Sequence, residues 1–78
     1  MPMPPPRAST EQKRDRQVFH EMGQIVRALE ANGAQPPDRL AELVGAAYWE
    51  GGRFERALAF AVQDGLAYQT SEGLLAAP

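Results

Sequence analysis

"GGRFERALAFAVQDGLAYQTSEGLLAA", Gly51–Ala77, opens on two glycines, carries an alanine-rich helical pattern, breaks again at Asp64-Gly65 and ends in an alternating stretch that contains turn residues. At about 100° per residue, a helix from about Arg53 to Asp64 puts Phe54, Leu58, Ala61 and Val62 on one side. Arg53, Arg56, Phe60 and Gln63 fall on the other. Gly65 supplies the stop, because a left-handed C-terminal residue is cheapest without a Cβ. Leu66, Tyr68 and Thr70 then alternate with Ala67 and Gln69, "SEG" offers turn residues, and Leu74, Leu75 and Ala76 return as a second strand. That is a hairpin with a short tip.

Upstream, "AQPPDRLAELVGAAYWEGG" supplies a second helix. Proline is tolerated in a first helical turn, and Leu40, Leu43, Val44, Ala47 and Tyr48 line one face, so this helix is expected to end near Trp49 at Gly51-Gly52. Gly45 lies inside the pattern at a cost of about 1 kcal/mol relative to alanine. Further back, Val18, Phe19, Met22, Ile25, Val26 and Leu29 recur at helical spacing and "ANG" at Ala31–Gly33 offers a stop, which gives a first helix over about residues 10–31. Ser9 with Gln12 fits a capping box at its start. Residues 1–9, with four prolines in the first six positions, read as a disordered polyproline-type tail, and residues 10–78 as one domain.

Composition narrows the function. A 78-residue chain buries only about 60–65% of its unfolded surface, so its core is small and a homodimer is the expected supplement. There is no cysteine to supply a disulfide or a thiolate metal site. No apolar run approaches the ~18 residues of a membrane span, and the proline-rich start lacks a signal peptide's apolar centre, so a cytoplasmic protein without a membrane partner is expected. Residues 1–33 carry five Lys or Arg against four acids, net +1; residues 34–78 carry three arginines against six acids, net −3.

Catalysis is not expected. His20, the only histidine, has no second histidine or cysteine to complete a metal site. Ser9, Thr10, Thr70 and Ser71 fall at caps and turns, where hydroxyls bond local backbone. Gly51-Gly52 lacks the lysine and hydroxyl of a phosphate loop. No metal, cofactor or catalytic residue is assigned.

The order helix, helix, glycine-containing turn, helix, hairpin resembles the winged helix-turn-helix family over about residues 36–77, with helix one completing a three-helix core. The closest likeness lies in "FAVQDGLAYQ" (Phe60–Gln69), which looks like the recognition helix, glycine stop and first wing strand of bacterial transcription regulators. The resemblance implies a mainly α fold with a small β-hairpin and helix three in the major groove of DNA. It carries DNA contact onto Arg53, Arg56, Phe60 and Gln63 on helix three and stops there. Apart from the resemblance, the charges of Lys13, Arg14 and Arg16 on the first-helix extension, or of Arg39 at the start of helix two, are candidates for added DNA-backbone contacts. Two departures stand out: "AAYWEGG" is longer than the compact turn of such regulators, and the wing "YQTSEGLL" has Glu72 but no Lys or Arg.

The arginines and glutamine of helix three are equally those of a solvated face, whereas Phe60, whose exposure would forgo about 1.5–3 kcal/mol of burial, is covered either by helix one or helix two or by a partner. The rival reading is therefore an interaction module on the same scaffold that docks a larger regulatory protein through Trp49, Phe60 or Phe19, its acidic wing facing a basic partner.

Overall fold

A computed structural model describes residues 15–78 as three helices and a two-stranded antiparallel sheet. The proline-rich tail, the Ser9–Gln12 capping box, Lys13 and Arg14 lie outside the described residues.

Helix α1 spans Arg16–Asn32. Asp15 is extended and its carboxylate accepts from the Val18 N–H at 2.8 Å, so the helix starts on this aspartate cap and does not run unbroken from residue 10. The Gly33 N–H reaches back to the Leu29 carbonyl at 2.8 Å and closes it. One stripe of α1 (Val18, Met22, Ile25 and Leu29) is buried and forms the long side of the core.

Before the next helix, Gln35 exchanges two backbone hydrogen bonds with Leu75, at 2.9 and 2.7 Å. Helix α2 then runs Pro37–Val44 with proline in its first turn, where a missing N–H costs nothing. Leu40 is its one buried side chain. Continuation of helix two to Trp49 is corrected here. Gly45 takes φ +73° and caps α2 through its N–H, and the chain tightens into a 3₁₀ turn over Ala46–Tyr48. The helical spacing of Ala47 and Tyr48 thus belongs to a separate turn, which leaves Tyr48 93% exposed.

Gly52, at φ +86°, turns the chain into helix α3, Arg53–Gln63. Phe54, Ala57, Phe60 and Ala61 are its buried face, packed against α1. The small side chains of Ala57 and Ala61 let the two helices approach closely. The helix ends at Asp64 and Gly65, with the Leu66 N–H bonded to the Ala61 carbonyl at 2.8 Å. Strands β1 (Tyr68–Gln69) and β2 (Leu75–Ala76) pair as Tyr68↔Ala76 and Gln69↔Leu75. Their tip is held by the Thr70 hydroxyl, which accepts from the Glu72 and Leu74 N–H groups.

Two glycine substitutions are expected to act in opposite directions. Gly45→Ala forces a Cβ into the left-handed region and should cost about 1–2 kcal/mol, although the new methyl would meet only Tyr48 Cδ2 at 3.8 Å. Gly23→Ala, inside α1 and facing the flexible end of Arg27, should gain about 0.5–1 kcal/mol. Urea midpoints of the two variants check both signs.

Candidate docking surface

Helix α3 was expected to group Arg53, Arg56, Phe60 and Gln63 on one face, with Phe60 either covered by the first two helices or offered to a partner; the structure takes the covered alternative for Phe60 and corrects the outward placement of Arg53. Phe60 is 6% exposed and belongs to the core. Arg56, one turn earlier, lies over the Phe60 ring at 5.6 Å from its centroid, so its charge stays in solvent while it covers an aromatic face.

Arg53 turns toward α1. Its Nε donates to Glu21 Oε2 at 2.7 Å, and the side chains are 16% and 5% exposed respectively. Gln17 donates to the same oxygen at 3.3 Å. The hydrogen bond to Glu21 is the main reason the Arg53 guanidinium is held above its ordinary pKa, with the fields of Glu21, Asp15 and Glu50 adding to it. Glu21 Oε1 and Arg53 Nη2 are buried without a hydrogen-bond partner among the described residues.

Of the other expected contacts, Gln63 is exposed. Arg39 is exposed on α2 and paired with Glu42 at 3.0 Å. Arg16 is exposed on the first turn of α1. Trp49 is partly buried, its ring tilted against Phe54 at 6.2 Å between centroids. Phe19 stands 53% exposed on α1.

The outward side of α3 is instead built from Glu55, Arg56, Ala59, Val62 and Gln63. Beside it runs an open groove of ≈ 660 Å³ whose apolar lining comes from Pro37 of α2, Leu58, Ala59, Val62 and the buried Phe60 of α3, and Leu75 of β2. Gln63 and Gln69 add amides. Leu66 and Tyr68, just beyond α3, are also exposed, at 42% and 49%. A second, smaller hollow lies at the other end of α3, between Trp49, Phe54 and the 3₁₀ turn.

Residues 15–78 hold five arginines and nine acids, a formal charge of −4, and two of those arginines are engaged with Glu21 and Glu42. No group of three or more His, Cys, Asp or Glu converges to hold a metal among the described residues, and none of their helices is long and apolar enough to cross a membrane. No protein-family model matches the chain, and neither a curated protein nor a solved structure matches it significantly.

Sequence reasoning missed Glu21, the groove and the hollow. Glu21 carried a signal: it falls within the apolar stripe of α1, three residues after Val18 and four before Ile25, where a carboxylate needs a counter-charge. The groove and the hollow each join segments far apart in the chain, so no local periodicity marks them.

Proposed function

We propose that residues 15–78 are a non-catalytic module on a winged helix-turn-helix scaffold, and that it docks a segment of another protein along the outward side of α3. The scaffold reading is supported by the element order and by the Gln35–Leu75 pairing, which ties the link between the first two helices to the hairpin. The docking reading rests on the groove, which presents Pro37, Leu58, Ala59, Val62 and Leu75 beside a helix whose DNA-contact set has lost Phe60 to the core and Arg53 to Glu21. Apolar lining with a few amides is what peptide grooves offer.

Duplex DNA is a poor fit to the same face. Its affinity for proteins comes largely from Lys and Arg neutralising phosphates, with one charge per ~1.7 Å of axis. Here a unit of charge −4 offers Arg56 on α3, Arg39 paired with Glu42, Arg16 at the start of α1 and a hairpin that carries Glu72 but no Lys or Arg. One observation favours DNA as a second reading: Arg56 and Gln63 are both exposed on α3, seven residues apart.

A mobility-shift assay on mixed-sequence duplexes at low and moderate salt separates the two. No retardation is expected even at low salt. Retardation that disappears in Arg56→Ala/Gln63→Ala would replace docking with DNA binding. That pair is chosen because neither residue is buried. The homodimer expected from the small core is checked by light scattering, where a monomer mass at high concentration refutes it.

A further inference from the structure

Glu55, Leu58, Ala59 and Val62 follow one another at helical spacing along α3, Glu55 lining the smaller hollow near Trp49 and Leu58, Ala59 and Val62 lining the apolar groove. From Glu55 to Val62 is about 10 Å along the axis, about two turns of helix. The hollow, ≈ 370 Å³, has an apolar floor of Ala41, Ala46, Trp49 and Phe54, and Glu42, Glu50 and Glu55 stand around it. Glu42 is already bonded to Arg39. Glu50 and Glu55 are exposed and in no salt bridge among the described residues.

An indole beside two exposed carboxylates, neither in a salt bridge among the described residues although Glu50 adds to the field at Arg53, complements one class of group. A guanidinium is planar and weakly hydrated, stacks on aromatic faces and accepts carboxylates along its edge. A neutral apolar side chain would leave the carboxylates unanswered, and an anion would be repelled by them as well as by the charge of −4 on residues 15–78. We infer that the docked segment is amphipathic and basic: its apolar face fills the groove beside Leu58, Ala59 and Val62, and an arginine about two helical turns away enters the Trp49 hollow between Glu50 and Glu55. This rests on the docking reading and adds the partner's chemistry. It places the cation at the 3₁₀ turn, away from the acidic wing tip at Glu72.

Trp49 is the only tryptophan of the chain, so its fluorescence reports on the hollow directly. The probes are two synthetic peptides with the same leucine face, one ending in arginine and the other in neutral citrulline. The arginine peptide is expected to shift Trp49 emission and to bind about tenfold more tightly than the citrulline peptide, with a gap that narrows as salt rises. Glu50→Gln/Glu55→Gln should erase most of that preference. Glu30→Gln/Glu72→Gln, which removes the same charge from exposed positions outside the hollow, should leave it within about twofold.

Equal affinity for the two peptides overturns the arginine assignment while leaving the groove reading standing. An equal loss in both glutamine variants also overturns it, by showing that only net charge matters. Binding of neither peptide removes the inference and the groove reading together. Circular dichroism of the glutamine variants shows that folding is not the cause, since all four glutamates are exposed.

Discussion

Leu40→Ala is expected to abolish cooperative folding at 25 °C. Leu40 is fully buried and is the one buried side chain of α2, so it is the main anchor of that helix to the core, with the partly buried Ala41 and Val44 packed beside it. Truncating a buried leucine to alanine removes transfer energy and leaves a cavity, together costing about 2–5 kcal/mol. A single core in a domain below about 70–80 residues supplies about 3–5 kcal/mol in total, and the chain has no disulfide to make up a deficit. Far-UV circular dichroism should show most of the helical signal lost and no sigmoidal thermal transition. A two-state transition weakened by less than about 1 kcal/mol would mean that α2 is held by its exposed side or by a partner, contrary to the packing described.

The second large effect is expected at the Glu21–Arg53 pair. Arg53→Ala leaves the Glu21 carboxylate buried, with Gln17 at 3.3 Å as its only remaining hydrogen bond among the described residues, and the melting temperature should fall by on the order of 10 °C or more. Glu21→Leu/Arg53→Met, an apolar pair of similar size, should return it to the wild-type value or above. Desolvating both charges already costs much of what their attraction returns, and Glu21 Oε1 and Arg53 Nη2 gain no hydrogen bond among the described residues in exchange. If the double replacement melts as low as Arg53→Ala, the pair contributes net stability and the desolvation argument fails. The result also governs how DNA binding is tested, because any loss of binding in an Arg53→Ala variant would report folding.

The α-helical architecture and the hairpin were legible because they rest on local rules. Gly65 ends α3 and the "SEG" stretch turns the hairpin as their chemistry requires, and the stripe from Val18 to Leu29 is the core face of α1. Gly45 carried a visible signal, but the apolar spacing continued past it through Ala47 and Tyr48, so the break into a 3₁₀ turn was hidden. On α3 the division into two faces gave too little weight to alanine. Ala57 is fully buried because its size allows α1 to come close. At about 100° per residue Arg53 lies between Ala57 and Phe60, so centring the buried arc on Ala57 carries both Arg53 and Phe60 inward. The Gln35–Leu75 pairing is a single bridge between residues forty apart and has no period by which to be recognised. Trp49 was singled out, but the hollow it lines depends on the 3₁₀ turn, as did the identity of Glu50 and Glu55 as its rim.

The central claim is that the outward side of α3 receives a protein segment. The most direct test is a parallel amide and indole NMR titration of the domain at low salt, with the arginine-ended amphipathic peptide in one series and a mixed-sequence duplex in the other. The peptide is expected to move the resonances of Ala59, Val62, Gln69 and the Trp49 indole, while the duplex leaves Arg56 and Gln63 in place. Movement of Arg56 and Gln63 by the duplex, with no response to the peptide, would contradict the account.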